Sequence, residues 1–386
     1  MATAAETLGP SRRPNVREFT AEEQYYIASQ WQLMWRKFKR HRLGLISGVL
    51  LLCAYFFALS YDFWVPYDFE DRHEEKLSSP PTWIHVIDND GNWRLPFVYG
   101  ASDFVDPVSF KRTYTDDVLN PHPIGLFIQG DLYKFWGIFE WDRHFFGVVP
   151  APGTEGTTIH LFGTDDLGHD VFSRTMSAAR ISLSVGLVGV ILAFALGIII
   201  GGVSGYFGGT IDLVIQRFIE FVIGVPTIPL WMSLSAAVPV TWSPLQTYFA
   251  ITIVLSVVGW AGLARVVRGK ILELRENDYV MAAKVAGSGN MRMLFDHLVP
   301  GFMSFLIVHL SLQVPSMILA ETTLSFLGLG IRSPAVSWGT MMQDAQNVRT
   351  IAIFPWLMIP GAFVILTVLL YNFLGDGLRD AADPYR

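Results

Sequence analysis

A chain of 386 residues that is 51% hydrophobic, only 16% charged and of positive mean hydropathy (+0.37) is not an ordinary water-soluble protein, because such proteins carry about 25% charged residues. A net charge of −6 leaves no overall basic field to hold a nucleic-acid backbone. The single cysteine, Cys53, excludes an internal disulfide framework and any Cys-based metal site, and its apolar surroundings give it the expectation of a small buried hydrophobe.

Along the chain, residues 1–42 form a cytoplasmic amphipathic segment. Thr20 and Glu23 make a capping box, and Ile27, Trp31, Trp35 and Phe38 follow at helical spacing, as in an interfacial helix. The first apolar run starts only at Leu43 and is too long for the core of a cleavable signal, so it is expected to anchor. A bilayer core needs roughly 20 helical residues. Stretches free of Asp, Glu, Lys and Arg at 43–61, 181–211, 298–320 and 351–375 each supply one crossing, and 221–264 supplies two joined by a turn at Pro239, Ser243 and Pro244. The expected fold is an all-α polytopic membrane protein with six transmembrane helices: helix 1 over 43–65, a large extracytoplasmic insertion over 66–177, and a core of five helices over 178–386.

Orientation follows from basic residues near the span ends. Arg12, Arg13, Arg17, Arg36, Lys37, Lys39, Arg40 and Arg42 precede helix 1, and Arg265, Arg268, Lys270, Arg275, Lys284 and Arg292 lie in a loop over 265–299. Both termini and that loop are therefore placed in the cytoplasm.

In the insertion, prolines from Pro80 to Pro152 break any long helix, and Trp83, Trp93, Trp136 and Trp141 supply packing mass for an irregular subdomain. The alternation Trp93, Leu95, Phe97, Tyr99 reads as a strand after a turn at Asp90 and Gly91. His73, His85, His122, His144 and His160 lack close metal-ligand spacing, so no metal is expected. Near the membrane, Arg217 and Glu220 read as a structural pair. Glu321, with Thr322 and Ser325, is a translocation-path candidate, Glu321 either facing a water-filled path or reaching the headgroup level. Pro226 with Pro229, Pro315, and Pro355 with Pro360 predict kinked spans. Gly186, Gly189, Gly197, Gly201 and Gly202 permit close helix contact.

Covalent chemistry has no motif here. The nearest phosphate-loop pattern, Gly262 to Gly269 and Lys270, has the wrong spacing and no following Ser or Thr; HExxH, GxSxG and CxxC are absent. The loop after the fourth crossing is more informative. Tyr279, Ala282 and Ala283 lie on a short helix, Gly287 makes a turn where positive φ costs little, and a second helix carrying His297 ends near Pro300.

This loop resembles the coupling loop of the membrane subunits of bacterial ABC importers. Ala282, Ala283, Gly287 and Pro300 match the Glu-Ala-Ala, glycine and Leu-Pro pattern, while Met281 replaces the usual Glu and Val299 the usual Leu. A second stretch, Gly163, Asp165, Gly168, Asp170 and Arg174, is similar to the entry to the second span of the oligopeptide and dipeptide permeases of the C type, with His169 in place of Arg. Gly208, Gly209 and Asp212, then Gly328, Gly330 and the run Ser337, Trp338, Gly339, then Gly375 to Asp380 match the same group in order.

The resemblance implies a permease subunit of an ATP-driven importer in the bacterial inner membrane, forming half of a path for peptides. It implies a second homologous permease, two ATPase subunits seated on the coupling loop, and a periplasmic solute-binding protein. This chain would bind no cofactor; ATP and Mg would be used by the ATPase partners. Oligosaccharides, nickel and opine-like solutes are alternative substrates within the group, and an ion-driven carrier is the alternative outside it. The insertion is longer than expected of a short dipeptide permease.

Overall fold

The computed structural model describes residues 30–383 apart from 90, 106, 109–111 and 150–156. Thr20, Glu23 and Ile27 lie outside the described residues, as do Asp90, Pro150 and Pro152. Helix α1 (Gln30–Phe38) turns at His41 into α2 (Arg42–Leu59), whose first turn is capped by His41 Nδ1 accepting from Gly44 N at 3.0 Å. In α1, Met34 and Phe38 bury against Ala381, whereas Trp31 and Trp35 stay exposed, so the buried stripe is not the one its tryptophans mark.

Among the described residues five helices are long and apolar enough to cross a membrane: Arg42–Leu59, Val171–Phe207 (α4), Pro244–Leu274 (α7), Asn290–Phe326 and Pro355–Ala382. A sixth candidate exists only if one bent helix pair is counted as a span. Helix α5 (Gly209–Gly224) and helix α6 (Thr227–Ala236) are apolar enough only together and bend by 89° across Val225 and Pro226. Proline 226 ends one segment and starts the next, since it cannot continue the donor ladder. Pro315 does lie inside its helix. Pro355 and Pro360 lie at the start of the last span, in the first turns of a 3-10 segment (Pro355–Met358) and of the α-helix that follows it (Ile359–Ala382), where no amide donor is required. The helix continues through the polar residues after Gly375 to Ala382, with Gly377 packed against Gly44 of α2.

The glycines of α4 do what their size allows. A Cβ on Gly201 would lie 2.3 Å from Ala264 O and one on Gly197 would lie 2.8 Å from Leu263 Cδ2, so α4 and α7 pack backbone against backbone. One buried cluster joins α2, α4, α7 and the last two spans; a second joins Leu263, Val267 and Ile271 of α7 to Val280, Leu294, Leu298 and Leu306. Cys53 is exposed on α2 rather than buried, because the outward face of a membrane helix is itself an apolar environment.

The expectation of an all-α chain fails in the insertion. Between α3 (Tyr61–Trp64) and α4 lies a four-stranded antiparallel meander: β1 (His85–Ile87), β2 (Trp93–Val105), β3 (Arg112–Phe135) and β4 (Phe139–Val148), in that order across the sheet. The turn at Gly91 (φ 82°) precedes β2 as expected. The alternation does not define one buried face, since Phe97, Val98 and Tyr99 are all buried and Trp93 and Leu95 exposed. Pro121 and Pro123, which read as breakers, sit inside β3 opposite Tyr99 and Phe97, beside a register shift between Tyr99 and Gly100 that absorbs them. Trp83, Trp93, Trp136 and Trp141 are exposed rather than forming a core, though Trp136 and Trp141 keep ring contacts to Phe135 and Phe63.

Candidate functional site

The 265–299 loop is built around a short helix and a glycine turn. Helix α8 (Asp278–Val285) ends at Ala286, and Gly287 follows at φ 85°, the left-handed conformation the turn requires. One side chain of α8, Val280, is buried in the cluster that includes Ile271, Met293 and Leu298. Tyr279, Met281 and Val285 around it are exposed, the last at 88%. Ala282 is exposed, Ala283 half-buried, and Tyr279 lies against Gly301, where a Cβ would stand 3.2 Å from its hydroxyl. Tyr206 at the end of α4 donates to Asn290 Oδ1 at 3.0 Å. Between them is a pocket of about 390 Å³ lined by Tyr206, Arg275, Met281 and Lys284 among others.

The second arm of the loop differs from expectation. No helix ends at Pro300: the chain runs from Asn290 through a π-helical turn (Met293–Leu298) holding half-buried His297, then a 3-10 turn (Val299–Phe302) holding Pro300, straight into α9 (Met303–Phe326). Changing helix type lets proline enter without breaking the span, since its missing donor falls in the first turn of the 3-10 segment.

The stretch 163–174 is a clasp at the other end of the bundle. Asp170 caps α4, accepting from Ser173 N and Ser173 Oγ, each at 2.7 Å, and from His160 Nδ1 at 3.0 Å. Asp165 accepts from Leu167 N at 2.9 Å, from His169 N and Nδ1 at 2.8 Å, and from Arg174. Burial raises the Asp165 carboxyl, but the His169 hydrogen bond and the Arg174 charge outweigh it and hold the group below the usual carboxylate range. Gly163 (φ 74°) and Gly168 (φ 85°) sit where a Cβ would strike Ser79 O at 2.6 Å and His73 O at 2.4 Å. The clasp thereby binds the base of the insertion to the start of α4.

Gly208 (φ 64°) and Gly209 (φ 59°) make the tight turn between α4 and α5, and Asp212 just beyond accepts from Arg268 of α7. Arg217 and Glu220 do pair, at 2.7 Å, on an exposed face.

Glu321, Thr322 and Ser325 are enclosed within the chain. They are buried in the chain's own helix packing, Glu321 and Ser325 both at 0% exposure. Glu321 Oε1 accepts from Ser325 Oγ at 2.7 Å and Oε2 from Ser182 Oγ at 3.2 Å. Ser325 Oγ accepts from Ile331 N and Ser182 Oγ from Trp338 N, both at 3.1 Å. The carboxylate therefore organises the connection after α9 and seats α10 (Trp338–Asp344) on α4. Sequence reading gave Ser182 and Val280 no such role; Ser182 lies 139 positions from Glu321, so no local signal joins them. Among the described residues no group of three His, Cys, Asp or Glu is arranged to hold a metal ion.

Comparison with known proteins bears on this architecture. Residues 193–385 match the family model described as the binding-protein-dependent transport system inner membrane component, and residues 29–81 match the N-terminal TM domain of oligopeptide transport permease C. The chain is similar to the oligopeptide transport system permease protein OppC of Bacillus subtilis (strain 168), 40% identical over 58% of this chain and 72% of that one. It is 44% identical to the dipeptide transport system permease protein DppC of the same organism, over 58% of this chain and 68% of that one. A DppC of Lactococcus lactis subsp. cremoris (strain MG1363) is 29% identical over 92% of this chain and 91% of its own length. That last coverage leaves too few residues out to skip 66–177, so a long insertion is compatible with a dipeptide-type permease after all.

Proposed function

This chain belongs to the binding-protein-dependent inner-membrane permease family, in its OppC/DppC-type branch, and from that premise we propose that it forms half of a path for peptides across the membrane. It is a multi-pass transport subunit of an ABC importer. The other half of the path is a second, homologous permease; two ATPase subunits bind Mg-ATP below, and a solute-binding protein delivers peptide above. Both termini and the 265–299 loop face the cytoplasm, and the sheet faces outward.

The observation that carries this reading is the packing of α8: apolar residues Tyr279, Met281 and Val285 left outward, and Val280 locked into the base of two spans. Closure of the ATPase pair presses on the outward side, Val280 passes the displacement to α7 and to the helix start at Met293, and the two half-bundles rock. The differential affinity of nucleotide and binding protein for the two states sets the direction. Purifying the tagged chain from its native membrane in mild detergent tests the reading. A second six-span permease and nucleotide-hydrolysing subunits co-purify, and Val285→Cys cross-links to the ATPase. Recovery of the chain alone as a homo-oligomer rejects it.

A further inference from the structure

The β3–β4 hairpin ends in the run Phe135, Trp136, Gly137, Ile138, Phe139, flanked by the cross-strand pair Lys134 and Glu140. Its turn has Trp136 at φ 52° and Gly137 at φ 72°. Turns of this hand favour Asn or Gly at both centres, and a tryptophan there is strained backbone kept for its side chain. Trp136 and Ile138 are 58% and 77% exposed, and no charge interrupts the tip.

The position of the tip relative to the bilayer is fixed by a ladder of contacts. His144 Nδ1 bonds Val65 O at 2.6 Å, Phe145 packs on Trp64 with ring centroids 4.9 Å apart, and Trp141 stacks on Phe63 at 5.9 Å. At the end, Trp136 Nε1 donates to Leu59 O at 2.9 Å. Leu59 is the last residue of the first span. Moving from His144 to the tip therefore means moving from Val65 back to the end of α2, where Phe56 and Leu59 are themselves exposed on a membrane helix. Tryptophan belongs at this depth, with its ring among acyl chains and its N–H satisfied at the interface.

We propose that the β3–β4 hairpin tip is a membrane wedge: Trp136, Ile138 and Phe139 insert into the leaflet in which the first span ends, and phospholipid is their partner. The insertion is then held at two points, by the clasp at 163–174 to the start of α4 and by this tip to the bilayer.

The test uses the whole transporter, reconstituted with its partner subunits in lipid nanodiscs. In a Cys53→Ala background, Ile138→Cys and separately Phe139→Cys carry an environment-sensitive fluorophore, with exposed Thr115→Cys on the same sheet as the aqueous reference. Lipid brominated near the top of its acyl chains is expected to quench most of the emission from the tip labels and little from the Thr115 label, and aqueous iodide to do the reverse. Iodide quenching of the tip labels without lipid quenching overturns the proposal, and relief of that quenching by added binding protein reassigns the tip to protein docking. Tip labels shielded from both quenchers overturn it too, placing the tip against another subunit.

Discussion

Arg268 and Asp212 meet in a two-pronged ion pair, Nε to Oδ1 at 2.5 Å and Nη2 to Oδ2 at 2.6 Å, which fastens the helix after the Gly208–Gly209 turn to the helix that leads into the 265–299 loop. Ser204 at the end of α4 donates to the same carboxylate at 2.5 Å, so three helices share one anion. Lysine keeps the charge of Arg268 but not the fork. Arg268→Lys is expected to lower stability in detergent by about 1–2 kcal/mol, the scale of one charged hydrogen bond, and Asp212→Ala by more, since the guanidinium loses every partner at that site. Thermal unfolding of the purified complex reads both, and an unchanged midpoint for Asp212→Ala contradicts the shared-anion role.

Gly287→Val is expected to separate transport from insertion. Nothing stands within 4 Å of a Cβ there, so space is not the obstacle; the φ of 85° is. A β-branched residue is costly in that conformation, so the turn shifts and α8 loses its aim. Membrane levels should hold while peptide uptake falls and ATP hydrolysis no longer responds to loaded binding protein. Uptake at the wild-type rate refutes the proposed coupling.

Two glycines on facing helices make a matched comparison. Gly201→Ala places its methyl 2.3 Å from Ala264 O, whereas Gly262→Ala meets nothing within 4 Å. The first is expected to destabilise by about 3 kcal/mol, the upper end for overpacking. The second should be neutral or stabilising by up to about 1 kcal/mol through helix propensity. Paired unfolding measurements in one detergent decide it, and equal effects mean that α4 and α7 do not cross backbone to backbone.

Acid should open the clasp. The Asp165 carboxyl lies lower in the folded chain than in the unfolded one, so its contribution is complete above the unfolded value of about 3.9 and is lost as pH falls through the folded value. The wild-type unfolding midpoint should drop below about pH 4. Asp165→Asn should already be less stable at neutral pH and show a smaller acid loss. A variant that tracks the wild type at every pH removes Asp165 from the clasp.

Glu321→Gln keeps an acceptor for one serine and is expected to transport peptide, because the residue is enclosed by its own chain. Glu321→Ala leaves the Ser182 and Ser325 hydroxyls short of an acceptor and a cavity behind them, at a cost of about 1–3 kcal/mol. Altered substrate selection by Glu321→Gln, with normal stability, restores it to the path.

What was legible in the sequence was whatever is encoded over a few consecutive residues. The charge-free runs located the candidate spans, Ser243 and Pro244 stood in the turn that precedes α7, and Gly287 took the positive φ expected of its turn. What was not legible depends on partners far along the chain. Pro121 and Pro123 look like breakers until β2 and its register shift are beside them. Glu321 looks like a path residue until Ser182, 139 positions away, is found bonded to it. The exposed tryptophans of the insertion look like a core, because composition does not distinguish a residue that faces protein from one that faces outward.

The elbow between α5 and α6 has a consequence for which way the bundle faces. A helix that stops inside a bilayer hands its last carbonyls to whatever lies alongside, and hydrocarbon offers them no donor. The 89° break after Gly224 therefore cannot point at lipid tails. Its open backbone needs water or protein beside it, which makes this break a compass for the proposed assembly: if the pair crosses the membrane, the side bearing Val225 and Pro226 is the one to turn toward the partner permease or the path.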